Sequence, residues 1–349
     1  MSQRLLRILA AIVAFVLVVV IGIVLGGNFT ANSTNSWALI TAIALVAAFV
    51  AYAGIEFLQT GRFESVARQF DTRTIVLMPL AIAINIILGQ TVSAALKIPI
   101  YLDSIGTILV GALAGPIPGA LTGFLANILW TYVVPPPFQG SASAAFAVVA
   151  AVIGLLAGVF GRLGFMRPRP NRSVGELVLG GIVALAVVGL MAFYAYSRYY
   201  AGTENFVFFG DTSNPLFFIL GLVIAALFIL FIVGFLALLF VRRDLTVAYV
   251  VVAGVATGLV AALISAPIAA NLFSGVTGAG TDFLVAAFRQ AGSDIQQATF
   301  QQGLLSDPVD KLVTFFTVYL ILNAMARRTK ARFPQGERLL ETGDAEAVA

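Results

Sequence analysis

The sequence contains no cysteine and no histidine. These absences exclude disulfides, thiol nucleophiles, imidazole bases and the usual zinc ligand sets. A P-loop motif, G-x-x-x-x-G-K-[S/T], is also missing, so ATP hydrolysis by that route is not expected. Serine–histidine hydrolase motifs are impossible without histidine. We therefore expect no catalytic residue, no metal and no cofactor, and the chain is not expected to be an enzyme.

Charge is scarce as well. Only 10% of the 349 residues are charged, 60% are apolar, and the mean hydropathy is +1.01. Soluble domains have about 45–50% apolar and about 25% charged residues. Lipid must therefore solvate most of this chain. The net charge of +4 does not favour nucleic-acid binding, because the arginines lie at the ends of apolar runs.

Ten apolar runs have a length suited to crossing a bilayer, which takes about 20 helical residues. The runs cover 5–26, 37–58, 74–96, 101–115, 117–134, 143–165, 174–197, 215–241, 246–266 and 308–326. We predict an all-α integral membrane protein of about ten transmembrane helices. The first run has a basic start, but it is too long for a signal peptide and no cleavage site follows, so we expect an uncleaved span.

Arginine and lysine predict the orientation, because cytoplasmic loops carry an excess of both. With the N-terminus inside, ten spans place every one of the 20 except Lys97, Arg198, Arg289 and Lys311 in the cytoplasm. Both termini are then expected in the cytoplasm. The location that we expect, a prokaryotic plasma membrane, is implied by the family resemblance described below.

Two segments depart from simple spans. Gly115-Pro116-Ile117-Pro118-Gly119 breaks the helix, which leaves open a turn inside the membrane where protein covers the backbone. Residues 268–307 combine a glycine-rich loop with an amphipathic stretch from Asp282 to Gln302, placed on the outer face. This stretch is either a surface helix or a lid or wall of a binding cavity.

Polar side chains within or beside spans usually face a bundle interior or a cavity. The topology brings a set of them to one membrane depth, which predicts a substrate pocket open to the outside. This set is Asn85, Gln90, Asp103, Asn127, Asn271, Asp282, Asp310 and Lys311. In the alternative interpretation the three aspartates are helix N-caps, and Trp130 and Tyr132 are ordinary interfacial aromatics.

Glycines recur at every fourth position, at Gly111, Gly115, Gly119 and Gly123. This spacing lets helix backbones approach closely in membranes, so we predict that these residues pack helices together.

Two runs resemble the substrate-specific subunits (S components) of energy-coupling factor (ECF) transporters. The first is IPIYLDSIGT at 98–107, followed by Gly111, GPIPGA at 115–120 and Gly123. The second comprises SAPI at 265–268, GVTG at 275–278, Asp282 and DPVDK at 307–311. Such subunits typically have six spans, which here are spans three to six with nine and ten.

The resemblance implies a division of the chain. Residues 1–73 would be two added spans and a loop, 74–172 the first part of the core, 173–245 two inserted spans, 246–330 the second part of the core, and 331–349 a disordered tail. Inserted spans depart from the compact pattern of the family.

The resemblance also implies a function. An S component captures a vitamin, a vitamin precursor or a similar nutrient from outside and docks on a membrane-embedded T subunit coupled to two ATPases. Docking in the family uses small residues on the first core span, for which Ala81 is the candidate here. The connection from Ser93 to Tyr101 would gate the pocket.

Two other functions remain open from the residues alone. One is a multi-span sensor or input module, although the segment after Ala326 is too short for an output domain. The other is a solitary carrier driven by a proton or sodium gradient.

Overall fold

A computed structural model describes residues 3–25, 34–195 and 233–341, and within these ranges regular structure is entirely helical. The helices are α1 (Gln3–Leu25), α2 (Thr34–Thr60), α3 (Glu64–Ala67), α4 (Thr72–Gly89), α5 (Ile105–Ala114), α6 (Pro116–Tyr132), α7 (Ala147–Arg162), α8 (Val174–Ala195), α9 (its described part, 233–241), α10 (Thr246–Phe273), α11 (Asp282–Gln290), α12 (Ile295–Ala324) and α13 (Arg327–Ala331). A π-helical turn, Gln90–Ala95, extends α4. The all-α prediction is confirmed for the described residues.

Three helical segments are long and apolar enough to cross a membrane: Thr72–Ala95, Ser143–Arg162 and Thr246–Phe273. Several shorter apolar helices accompany them, and large apolar side chains on α1, α4 and α8 stay exposed. Such exposure is costly in water and ordinary in lipid. The chain is thus a helical membrane protein of the multi-pass kind. Most of the predicted run 215–241 lies outside the described residues.

The centre of the bundle is α5, all ten residues of which are buried. At 10 residues it is about 15 Å long, too short to span a bilayer alone. After α5 the chain reverses at Gly115, where φ is +132°, and α6 begins with Pro116 in its first turn. Proline is well tolerated at that position because its missing N–H would have no helical partner.

The predicted glycine contacts are made by two helices of this hairpin rather than by one continuous helix. A Cβ at Gly111 would lie 2.7 Å from the Gly154 carbonyl oxygen, and one at Gly119 would lie 2.5 Å from the same atom. A Cβ at Gly123 would lie 2.3 Å from the Ala150 carbonyl oxygen. These three glycines therefore let α5 and α6 both pack closely against α7. Gly115 instead adopts the positive φ that the turn between α5 and α6 requires.

A glycine pair that the sequence analysis did not single out joins α10 to α12. A Cβ at Gly258 would lie 2.4 Å from Pro308 Cα, and one at Gly254 would lie 2.8 Å from Leu312 Cα. The two helices thus touch along their backbones. In addition, α12 begins at Ile295, well before the predicted span start at 308, because Asp294 caps it by accepting a hydrogen bond from Gln297 N–H at 2.8 Å.

The tail from 331 was predicted to be disordered, but its described part, up to Glu341, packs on the bundle. Leu339 and Leu340 are each only 1% exposed. Gln335 N–H donates to the Leu113 carbonyl at 2.8 Å, and Arg167 Nε donates to the Leu340 carbonyl at 2.8 Å. Two leucines that leave water explain why this segment folds. We call the end of the bundle that it covers the basic end.

Candidate functional site

A cavity of about 170 Å³ lies at the opposite end of the bundle, which we call the pocket end. Its walls come from α4 with its π-turn, the start of α5, α6, α7, α10 and α12. The polar or amphipathic side chains among its lining are Gln90, Ser93, Tyr101, Asp103, Ser104, Asn127, Trp130, Gln139, Ser141, Ser143, Ser265, Thr277, Asp307 and Lys311. Of the eight residues expected in a pocket, the structure brings Gln90, Asp103, Asn127 and Lys311 to this cavity.

The π-turn forms one wall. Gln90, Ser93 and Ala94 all line the cavity from it. Turns of this type widen the helix and are frequent at functional sites. Ser93 is only 3% exposed, and its hydroxyl has no hydrogen-bond partner among the described residues. A buried hydroxyl without a partner costs about 1–3 kcal/mol. A bound molecule that forms a hydrogen bond with Ser93 would remove this cost.

Lys311 is the cation of the site and is 3% exposed. Its Nζ donates to Asp310 Oδ2 at 2.5 Å and to Ser104 Oγ at 2.9 Å, and Asp103 Oδ1 lies 3.8 Å away. The closest partner, Asp310, is the neighbouring residue in the chain. The positive charge of Lys311 is thus largely matched by the carboxylate of Asp310.

Asp310 itself does not line the cavity; its carboxylate accepts hydrogen bonds from backbone N–H groups. It is fully buried, and its Oδ1 accepts hydrogen bonds from the N–H groups of Tyr101 at 3.0 Å and Leu102 at 2.8 Å. Leu102 has φ of +51°, in the left-handed region that costs a non-glycine residue about 1–3 kcal/mol. Asp310 therefore fixes the strained segment that carries Asp103 into the cavity.

Asp307 is a site residue that the sequence analysis left out of the predicted pocket. It lines the cavity, is 4% exposed, and accepts hydrogen bonds from Ser265 Oγ at 3.1 Å and Ser306 Oγ at 3.3 Å. No basic group in the described ranges lies within ion-pair distance of it. A signal was present: Asp307 precedes Lys311 by four positions, and residues four apart share one helix face.

An indole forms another wall. Trp130 is 7% exposed, and its Nε1 donates to the Phe138 carbonyl at 3.0 Å. A Cβ at Gly89 would lie 2.6 Å from the ring, and one at Gly140 would lie 2.8 Å from it. The absence of a side chain at Gly89 and Gly140 therefore leaves room for the indole ring of Trp130. Trp130 is thus part of the cavity wall, whereas the alternative made it an interfacial aromatic.

Three predicted residues lie elsewhere and have structural partners. Asn85 joins α4 to α5, donating from Nδ2 to Thr107 Oγ1 and accepting from Gly106 N–H, both at 2.8 Å. Asp282 accepts hydrogen bonds from the backbone of Thr277 and Gly278, which closes the loop before α11.

Asn271 is the third. It donates to the Pro267 carbonyl at 3.0 Å within α10 and accepts from Gln296 at 2.6 Å. All three side chains satisfy local polar groups, which hydropathy cannot distinguish from cavity lining.

The segment from Ser93 to Tyr101 meets the loop before α11 at the cavity rim. Gly280 N–H donates to the Ser93 carbonyl at 3.0 Å, and the hydroxyls of Tyr101 and Thr281 lie 2.9 Å apart. The exposed Lys97 also donates from Nζ to the Gly278 carbonyl. Two loops from distant parts of the sequence thus cover the cavity together.

Ala81 is not at a surface. It is fully buried, and a Cβ on Gly106 would lie 2.2 Å from its carbonyl oxygen, so α4 and α5 touch there. Its small size is needed inside the bundle. A partner that approaches through lipid would instead meet the exposed Pro79 and Ala83 of the same helix.

The site can bind a small polar molecule but contains no recognisable catalytic arrangement among its described residues. Its volume corresponds to about six water molecules at about 30 Å³ each. No protein-family model, curated protein or solved structure matches this chain.

Proposed function

We propose that this chain is the substrate-binding membrane subunit of an ECF-type ATP-driven importer, which captures a small polar nutrient of the vitamin or precursor class. The observation that carries the proposal is the cavity itself. Both parts of the expected six-helix core contribute to it: Gln90 and Asp103 from the first part, Asp307 and Lys311 from the second. The resemblance to S components arose from the same two stretches of sequence.

The shape of the site supports one-sided access. The cavity lies at the pocket end, where positively charged residues are few, which is the outer side by the distribution of arginine and lysine. The opposite end is covered by the packed tail, in which Leu339 and Leu340 are buried. A subunit that binds from outside and releases inside needs a further conformational change, which the partner subunits would drive.

Docking on the T subunit is assigned to the exposed face of α4. Pro79, Ala83 and Ile87 follow each other at intervals of four on that face, and all three are exposed. Small residues let another helix approach closely in lipid. We therefore replace Ala81 by Ala83 as the candidate docking residue.

The experiment that tests the proposal is gentle purification of the tagged chain from its native membranes, followed by identification of the proteins recovered with it. The importer predicts a T subunit and two ATPase subunits. Recovery of this chain alone from several mild detergents would contradict it.

A solitary ion-coupled carrier is a second candidate, favoured by Asp307. A buried carboxylate with no basic group within ion-pair distance, on a helix of a membrane bundle, is typical of proton and sodium pathways. Nutrient uptake by proteoliposomes that contain only this chain, abolished by collapsing the ion gradient, would favour the carrier over the importer.

A further inference from the structure

We propose that the pocket takes a small organic cation, a molecule with a protonated or quaternary nitrogen. The inference rests on the proposed function in that it names the class of molecule the same cavity binds. It is carried by the charge balance of the site and by one unpartnered hydroxyl.

The charge balance is negative. Three carboxylates, Asp103, Asp307 and Asp310, converge on one ammonium, that of Lys311. The Asp310 carboxylate pairs with the Lys311 ammonium at 2.5 Å, whereas the Asp103 carboxylate lies 3.8 Å from it and Asp307 lies beyond ion-pair distance. Removing an unpaired carboxylate from water is costly unless it is matched by opposite charge. Among the described residues, the site therefore has more carboxylates than ammonium groups, and a cationic ligand supplies the missing positive charge.

Groups at the rim do not change this balance. Lys97 is exposed and its Nζ is hydrogen-bonded to the Gly278 carbonyl, so solvent screens its charge. Asp282, on the same loop, accepts hydrogen bonds from Thr277 and Gly278. One cation and one anion thus flank the entrance. Inside the cavity, Asp103 shares the Lys311 ammonium with Asp310 at the longer distance of 3.8 Å, and Asp307 has no basic group within ion-pair distance among the described residues.

An independent observation indicates that a bound molecule also supplies a hydrogen-bonding group. Ser93 Oγ lines the cavity, is buried and has no partner in the described parts of the chain. Trp130 and Phe146 add aromatic wall for a flat ring. A metal ion fits less well, because no group of three His, Cys, Asp or Glu side chains in the described ranges could hold one.

The test uses the purified full-length chain in detergent. Any retained small molecule is released by acid, identified by mass spectrometry in both ion modes, and assigned its charge at pH 7. In parallel, binding of benzylamine, benzyl alcohol and benzoate is titrated on the same protein. These probes share one ring and differ in charge.

We expect a retained cation, or benzylamine binding at least about tenfold more tightly than benzyl alcohol, with benzoate weakest. Asp307→Asn keeps the shape of the side chain and should reduce the preference for benzylamine over benzyl alcohol by about the same factor. A retained neutral or anionic molecule overturns the inference. So does equal binding of the three probes, or an unchanged preference in a folded Asp307→Asn protein.

Failure here is distinguishable from failure of the proposed function. Recovery of a T subunit and ATPases together with a neutral ligand would support the importer proposal and overturn the proposal of a cationic ligand. Recovery of this chain alone with a bound cation would do the reverse.

Discussion

The Asp310 carboxylate accepts a hydrogen bond from the backbone N–H of Leu102 at 2.8 Å, across 208 positions of sequence. The same oxygen accepts from Tyr101, and the other oxygen accepts from Lys311. One buried aspartate on α12 thus fixes the segment that leads into α5. The two parts of the bundle that line the cavity are joined at this point, and the position of Asp103 in the cavity depends on it.

Substituting Asp310→Ala should therefore strongly destabilise the protein. It leaves the Lys311 ammonium and two backbone N–H groups buried without their acceptor, which costs about 3–5 kcal/mol. The measurement is the thermal unfolding midpoint in detergent. The matched control is Glu64→Ala, which removes an ion pair with Arg68 whose Glu64 side chain is 54% exposed, at a cost of about 0–1 kcal/mol. Equal midpoints for the two variants would contradict the role of Asp310 in fixing the segment that leads into α5.

Asn85 and Asn127 should behave oppositely, although both are asparagines in the middle of apolar runs. Asn85→Ala removes two hydrogen bonds between α4 and α5 and should cost about 1–3 kcal/mol, with little change in ligand affinity in the protein that folds. Asn127→Ala changes a residue of the cavity lining and should weaken binding. Thermal unfolding and ligand titration on both variants give the comparison. A loss of affinity confined to Asn85→Ala would contradict it.

This pair also shows how far the sequence predicts the site. Polarity inside an apolar run placed Asn85, Gln90, Asp103 and Asn127 in the right part of the bundle. It could not tell whether a side chain faces the cavity or a neighbouring helix, because that depends on how the helices are rotated when they pack. The helical class followed from apolar length alone.

The extent of α12 was harder to predict. Its first turns carry Gln296, Gln297, Gln301 and Gln302, so a hydropathy window begins too late, at 308. The helix nevertheless starts at Ile295, because Asp294 caps it and α11 packs beside it through Phe288 and Ala298. Asp307 also lies before that predicted start, in turns that the hydropathy window did not identify as helical.

Gly119→Ala should disrupt the close packing of α6 against α7. The added methyl group would lie 2.5 Å from the Gly154 carbonyl oxygen, so two helix backbones must separate. Overpacking of this kind costs about 1–3 kcal/mol or more. Gly54→Ala is the matched control, since a Cβ there meets nothing within 4 Å and alanine favours the helix. The yield of monodisperse protein and the unfolding midpoint measure both, and a Gly119→Ala protein as stable as Gly54→Ala would contradict the packing.

The proposed importer predicts that Ala83→Trp prevents recovery of a T subunit without changing ligand binding. Ala83 is exposed on α4, so a large side chain there blocks close approach of another helix without filling the bundle. Val183→Trp on α8 is the control, because Val183 is 50% exposed and lies outside the predicted six-helix core. Quantitative mass spectrometry of purified material compares the two. Undiminished recovery with Ala83→Trp would show that docking uses another face.

The most direct test of the central claim, that this cavity is a ligand-binding site, is native mass spectrometry of wild-type and Asp103→Ala protein released from detergent. The Asp103 side chain is 25% exposed, and Lys311 keeps its closer partner Asp310, so the variant should fold. The account predicts a bound small molecule on the wild-type chain and its loss from Asp103→Ala, with an unfolding midpoint close to that of ligand-free wild type. Full retention of the molecule by Asp103→Ala would contradict the account.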